Sequence, residues 1–189
     1  MRSLTEQERT YLDHIRGFDL WNRQAMLAVM GTFGIPASYL DVGCGSGAMV
    51  GVVKRMGADA HGVDLLVEDG QVPYLHQLDA SQPFDLGRAF DLVTCIEVAE
   101  HIAEDRIGTF LDNISKHLAS PGILVLSAAG PGQGGEDHQL LRPGYWWRTE
   151  LHNREISYRE DYTMRLRLVW SVIPMPMMWL AANVQVFNR

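Results

Sequence analysis

The 189-residue chain is 47% hydrophobic and 21% charged, proportions that suit one folded globular unit with its own core and exclude a fibrous or disordered chain. Its formal net charge of -7 weighs against a broad phosphate-backbone footprint, so nucleic acid is not expected as a partner. Six arginines gather in the last third, Arg142, Arg148, Arg154, Arg159, Arg165 and Arg167; they read either as a local basic patch or as solvated helix faces, the second being the reading adopted.

Cys44 and Cys95 lie in apolar or glycine-rich surroundings and read as small buried hydrophobes in a reducing compartment, not as a bridge or metal pair. The N-terminal residues lack the apolar centre of a signal peptide. The longest apolar run, Val172 to Ala182, contains Pro174 and Pro176 and falls short of the roughly 18 residues a membrane span needs. A cytoplasmic protein with no membrane partner is expected.

Thr5 and Glu8 have the spacing of a capping box, opening a helix with Leu12 and Ile15 on one face and Gly17 at its end. A second helix, with Asp19 as its cap, aligns Leu20, Gln24, Leu27 and Gly31, with Trp21, Met26, Val29 and Met30 on other lines. Two readings of this pair stand open. As a lid over a ligand site, it would make Tyr11, His14 and Trp21 substrate contacts; otherwise it packs on a sheet edge.

Leu40-Asp41-Val42-Gly43-Cys44-Gly45-Ser46-Gly47 reads as a buried strand ending in an acid, then a loop with glycine at every second position. A helix follows over Ala48 to Met56, with Gly57 as its C-cap. Such a loop lets a ligand press on the main chain, where a helix N-terminus presents free N–H groups. The dinucleotide fingerprint spaces glycines G-x-G-x-x-G and seats a pyrophosphate. Here the pattern is Asp-x-Gly-x-Gly-x-Gly, and its acid would repel pyrophosphate and suits a ligand bearing an ammonium group. These residues resemble motif I of the class I S-adenosylmethionine-dependent methyltransferases.

Ala60-His61-Gly62-Val63-Asp64-Leu65 reads as the second strand. Asp64 stands roughly 20 residues past the glycine turn at a strand's carboxyl end, where nucleotide folds hold a ribose diol with two carboxylate oxygens. A solvated surface aspartate is the other reading. A short third strand, Tyr74 to Leu78, ends in Asp79-Ala80, and the resemblance implies that these two receive adenine. The residues alone fit Asp79 equally as a cap of the turn before Pro83.

Phe90 to Val98 is apolar enough for a strand buried on both faces. Ala99-Glu100-His101-Ile102 follows, then a helix with Ile107, Phe110, Leu111, Ile114 and Leu118 at helical spacing. Ser120-Pro121-Gly122 turns the chain into a fifth strand, Ile123 to Ser127. Strands alternating with helices give a doubly wound pattern, whose ligands lie beyond the strand carboxyl ends. Asp41, Asp64, Asp79 and Glu97 all fall there.

The loop Gly130 to Gly135 delivers Glu136, Asp137 and His138. Pro143-Gly144-Tyr145-Trp146-Trp147 begins a helix, Ile156-Ser157-Tyr158 reads as a short strand, Asp161 to Ile173 as a helix, and Asn183 to Phe187 as a last strand antiparallel to the fifth. This layout is similar to small stand-alone methyltransferases of phages and bacterial surface-sugar gene clusters. The resemblance implies one domain, with lid helices in 1–36, a cofactor-binding core in 37–130 and an acceptor side in 131–189. Its fold would be α/β, a Rossmann-like doubly wound sheet of about seven strands, mostly parallel with one antiparallel C-terminal strand.

The resemblance further implies S-adenosyl-L-methionine as methyl donor, leaving as S-adenosyl-L-homocysteine. Asp41, Gly43, Cys44, Gly45, Gly47, Asp64, Leu65, Asp79, Ala80 and Glu97 would hold it. A small molecule or sugar is the expected acceptor, and a homodimer is left open. Methyl transfer from a sulfonium is an in-line displacement, so the enzyme positions a nucleophile and, for a hydroxyl, removes its proton. Histidine titrates nearest neutrality. His138 on the glycine loop is the first choice of base and His101 the second. Their other readings are backbone bonding for His101 and a hold on the loop for His138. His61 and His76 read as structural; His14, His117 and His152 read as helix-surface residues.

Glu97, Glu100, His101 and His138 also form a mixed donor set that suits a divalent ion. That set is similar to the metal site of small-RNA 2′-O-methyltransferases and to a segment of quinone-biosynthesis O-methyltransferases; no metal is the reading adopted. Trp146, Trp147, Trp170 and Trp179, with Met175, Met177 and Met178 and a kink at Pro174-Met175-Pro176, read either as an acceptor pocket or as core filler. Competing functions are a methyltransferase acting on RNA or protein, a nicotinamide oxidoreductase, which Asp41 opposes, and a non-catalytic S-adenosylmethionine-binding module.

Overall fold

The apolar runs expected as strands pair into one seven-stranded sheet in the computed structural model, which describes residues 3–67, 72–135, 137–173 and 179–189. Helices α1 (Glu6–Arg16) and α2 (Asp19–Phe33) precede β1 (Ser38–Val42), α3 (Ala48–Arg55), β2 (Asp59–Asp64), β3 (Leu75–Gln77) and β4 (Phe90–Ile96). A 3-10 turn (Ala99–His101) leads to α4 (Ile107–His117) and β5 (Leu118–Ser127). The chain closes with α5 (Gly144–His152), β6 (Ser157–Tyr158), α6 (Glu160–Val172), α7 (Trp179–Asn183) and β7 (Gln185–Asn188). The sheet order is β3-β2-β1-β4-β5-β7-β6, parallel through β5, with β7 antiparallel to β5 and to β6. Strand order reverses between β1 and β4, so a crevice opens beyond their carboxyl ends.

Side-chain alternation divides the core between the two faces of the sheet. Leu40, Val42, Val93, Leu124 and Leu126 pack with Phe110, Leu111 and Ile114 of α4 and with Trp147 and Leu151 of α5. Tyr39, Leu92, Val125 and Val186 face the other way, against Met26 and Val29 of α2, Val50 and Val53 of α3, and Leu166 and Trp170 of α6. Burying each such large apolar side chain contributes on the order of 1.5–3 kcal/mol, which offsets the cost of ordering the chain.

The capping box forms: Thr5 Oγ1 accepts the Glu8 N–H, and Glu8 Oε2 accepts the Thr5 N–H at 2.7 Å. Asp19 is not the cap of α2. It is the first helical residue, Phe18 holds the cap position without a side-chain bond, and the Asp19 carboxylate accepts the Ser46 hydroxyl. The tie between an acid and the glycine loop wins over a local cap. Helix α3 ends at Arg55, and Gly57, at φ +87°, makes the left-handed turn beyond it.

Two further readings change. Leu118 belongs to β5, not to α4: its backbone is extended and it pairs with Phe90 while remaining buried among the same apolar neighbours. Ser120-Pro121-Gly122 therefore lies inside that strand. His117 is not on a helix surface but fully buried, because both ring nitrogens find backbone partners. Nδ1 lies 2.7 Å from the Asn113 carbonyl, and Nε2 accepts the Leu86 N–H at 3.0 Å.

Trp147 and Trp170 are core residues, Trp146 is partly buried, and Trp179 is 43% exposed. Glu136, Met175, Met177, Met178 and the Pro174-Pro176 kink lie outside the described residues. Among the described residues no helix is long and apolar enough to cross a membrane.

Candidate active site

The loop after β1 is held from β2. Gly43 and Cys44 donate their N–H groups to the Val63 carbonyl at 2.8 and 3.1 Å, and Gly45 donates to Asp64 Oδ2 at 2.8 Å. The other Asp64 oxygen accepts the Leu66 N–H at 2.7 Å. Gly43 sits at φ +79°, and a Cβ there would come within 2.2 Å of Val98 Cγ2, so only glycine fits. Gly47 caps α3 at φ +77°, and a Cβ there would come within 2.7 Å of Leu75 Cδ1 of β3.

Beyond the strand ends lies a cavity of about 440 Å³. Asp41, Asp64, Asp79 and Glu97 all line it, together with Gly43, Cys44, Gly45, Leu65, Ala80 and His101; Gly47 and His138 are not on its wall. Residues the sequence did not single out complete it: Ile15 and Asn22 from the N-terminal helices, Met49, Leu66, Ile96, Val98 and Ile102 beside the strand ends, and Asp137 from the glycine loop. For Met49, Leu66, Ile96, Val98 and Ile102, apolar positions next to the glycine loop and the strand-end acids were the available signal; Asn22, one of several polar residues of α2, gave none. Tyr11 also lines the cavity, whereas His14 and Trp21 do not. Helix α1 thus places Tyr11 and Ile15 on the wall and α2 places Asn22 there, while the buried stripe of α2 packs on α3 and α6.

The wall carries five acids and, among the described residues, no lysine or arginine. Burial pushes Asp41 up to about 7, against a 2.6 Å bond from the Thr94 hydroxyl to its Oδ1. Thr94 spends its proton on Asp41, so the Tyr39 hydroxyl, 2.6 Å away, donates to Thr94. Burial also raises Asp64, although two backbone N–H groups favour its ionised form. Glu97 is pushed up to about 7 by burial and then by neighbouring Glu100; its backbone is left-handed, at φ +54°, which turns its carboxylate toward the Ser127 hydroxyl that donates to it. Asp79 accepts the Ser81 N–H at 2.9 Å, so it caps its turn and lines the cavity as well.

Glu100 is fully buried; one carboxylate oxygen accepts the Ala129 N–H at 3.2 Å and the other has no partner. Its carbonyl accepts the N–H groups of Gln139 and Leu140, which pins the glycine loop to the 3-10 turn. That anchor sets the His138 ring edge-on to His101, 5.0 Å between centroids, with His138 Nδ1 buried and without a partner. His101 Nδ1 lies 3.3 Å from the Asp137 carbonyl; an N–H there leaves Nε2 as the acceptor a base requires. Burial lowers the His101 pKa, which keeps the ring neutral. Donor atoms of Glu100, His101 and His138 all lie within 4.8 Å of one another.

A doubly wound sheet in this strand order, with an acid-glycine loop and an acid at the end of each crevice strand, defines the class I methyltransferase fold. The chain belongs to the methyltransferase domain family, whose model matches residues 15–164. A ubiquinone biosynthesis O-methyltransferase of Azorhizobium caulinodans is 34% identical over 99 residues, 47% of this chain and 38% of that protein. The chain therefore spans about two fifths of the length of such relatives. A TehB-like SAM-dependent methyltransferase of Corynebacterium glutamicum superposes with a TM-score of 0.69 at 21% identity, covering 97% of this chain and 98% of that one. The 1,6-didemethyltoxoflavin-N1-methyltransferase of Burkholderia thailandensis, solved with its substrate and S-adenosylhomocysteine, gives 0.66 at 18% identity, covering 100% and 92%.

Proposed function

We propose that this chain is an S-adenosylmethionine-dependent methyltransferase that transfers the sulfonium methyl to an oxygen of a small molecule or sugar. The observation that carries this reading is one cavity walled by Asp41, Asp64, Asp79 and Glu97, with glycine-loop backbone on one side and no basic side chain among its described residues. A cationic nucleoside suits that wall; a pyrophosphate does not. In this reading Asp41 and Glu97 face the ammonium and sulfonium charges, Asp64 and Leu65 the ribose, and Asp79 and Ala80 the adenine. His101, neutral and on the wall, takes the acceptor proton, and His138 braces it from behind. Oxygen as the methylated atom is supported by the O-methyltransferase relative. A small-molecule acceptor accords with the net charge of -7, which weighs against a nucleic-acid backbone. Calorimetric titration with S-adenosylhomocysteine and with NADH tests this: the first binds and the second does not. Formation of S-adenosylhomocysteine from the donor and an acceptor extract separates a catalyst from a binding module.

A second reading, metal-assisted transfer, is favoured by one observation. The partnerless buried atoms Glu100 Oε2 and His138 Nδ1 belong to the donor trio that includes His101. A divalent ion held there would lower the pKa of an acceptor hydroxyl. Loss of turnover with chelator, restored by Mg²⁺, Mn²⁺ or Zn²⁺, distinguishes it.

A further inference from the structure

A second cavity, of about 380 Å³, has the opposite chemistry to the first. Three guanidinium groups, from Arg142, Arg148 and Arg167, line it, and no acid does among the described residues. They come from three separate segments: the loop before α5, α5 itself and α6. Arg142 is paired with exposed Glu104. Arg148 donates through Nε to Gln185 Oε1 at 2.8 Å and lies over the Tyr158 ring, while Arg167 donates through Nε to the Val184 carbonyl at 3.1 Å. Among the described residues neither of these two is paired with an acid.

Like charges gathered around one space repel unless an anion joins them. Two more observations point to such an anion. Trp147 is 1% exposed and on the cavity wall, yet its indole N–H has no acceptor, and the Nε of Arg142 is likewise buried without one. Buried donors of this kind are costly to leave unmade. The first turn of the nine-residue helix α5 also meets the cavity at Gly144 and Tyr145, and Pro143 gives it no side-chain cap, so its free N–H groups and dipole favour negative charge there.

The cavity adjoins the methyl-transfer site. Ala128 on its wall follows Ser127, whose hydroxyl donates to Glu97, and Asn183 on its wall is near enough to Glu97 to favour that acid's ionised form. Resting on the methyltransferase reading, we propose that this cavity holds an anionic oxygen group of the methyl acceptor, a phosphate or a carboxylate. Guanidinium forks suit either group because both present paired oxygens to parallel N–H donors. The acceptors would then be acidic small molecules, anchored by their anion on one side of Glu97 while the donor occupies the other.

Calorimetry on the full chain with S-adenosylhomocysteine present tests this, using inorganic phosphate and acetate as probes and chloride as the control at constant ionic strength. Saturable binding of phosphate or acetate, weakened tenfold or more in Arg148→Gln and Arg167→Gln, is expected. Trp147→Phe keeps the ring in the core and removes only the N–H, so it should weaken the anion while leaving S-adenosylhomocysteine affinity within twofold. Preference for phosphate assigns a phosphoester acceptor; preference for acetate assigns a carboxylate. Binding no stronger than chloride, or equal in all three variants, overturns the proposal. If S-adenosylhomocysteine still binds in that case, only the anion assignment falls; if it does not, the methyltransferase reading falls with it.

Discussion

The Asp64 carboxylate accepts the Gly45 N–H at 2.8 Å, so the acid that ends β2 also holds the glycine loop that follows β1. One side chain thereby shapes the cradle and faces its cavity. Asp64→Ala leaves the Gly45 and Leu66 N–H groups without their acceptors, a loss of about 1–3 kcal/mol. Urea denaturation should show that loss, and calorimetry should show S-adenosylhomocysteine binding weakened at least tenfold. Asp64→Asn, which keeps one oxygen acceptor, should lose less on both counts.

Burial pushes both Asp41 and Glu97 up to about 7, above their ordinary values of 3.8 and 4.5. Between those ordinary values and about 7 the folded protein binds more protons than the unfolded chain, so these two groups make stability fall as pH rises through that window. A cationic donor reverses the preference by favouring the ionised carboxylates. S-adenosylmethionine should therefore bind more tightly as pH rises through 7 and should release protons on binding near pH 6.5. Titrations in buffers of different protonation enthalpy measure that release.

Gly43→Ala should be among the most damaging single-methyl changes in the chain. The added Cβ would lie 2.2 Å from Val98 Cγ2, and the position demands φ +79°. Steric displacement and the left-handed backbone together cost on the order of 2 kcal/mol or more. Thermal unfolding should register that loss, and S-adenosylhomocysteine affinity should fall with it because Val98 lines the same cavity.

Much of this site was legible because strand ends announce themselves. Apolar runs that finish in Asp41, Asp64, Asp79 and Glu97 placed four acids before any coordinate did, and the sheet order then gathered them. Local chemistry at segment ends was less legible. His117 reads as a surface residue because helical spacing does not reveal that Leu86, from a distant loop, donates to its ring. Leu118 fits the apolar stripe of α4 and equally the start of β5, and pairing with Phe90 decides. The arginine-lined cavity was only dimly legible: the chain gathers six arginines in its last third, but spacing does not reveal that Arg142, Arg148 of α5 and Arg167 of α6, helices on opposite faces of the sheet, meet around one space beside Gln185 of β7.

His117 offers a separate stability test. Its ring accepts the Leu86 N–H and meets the Asn113 carbonyl, and burial lowers its pKa below 6.5. The unfolded chain takes up the proton first, so this stabilisation is fully present above pH 6.5 and is lost as pH falls through the folded value. His117→Leu leaves the Leu86 N–H unpaired and should cost about 1–3 kcal/mol at pH 7.5. It should also flatten the decline in stability below pH 6.5, measured by denaturant titration across pH.

If His101 is the base, His101→Gln should slow turnover by roughly 10²–10⁴-fold and barely change S-adenosylhomocysteine affinity. His138→Ala should have the smaller effect on rate, since its ring stands behind His101 and off the cavity wall. Methyl-transfer rates and calorimetry on the same preparations separate the two.

A crystal structure of the full chain with S-adenosylhomocysteine tests the central claim most directly. The account predicts the ribose hydroxyls on Asp64, the amino group beside Asp41 and the adenine against Asp79 and Ala80. An empty crevice at saturating ligand, or a nucleoside bound away from Asp64, would contradict it.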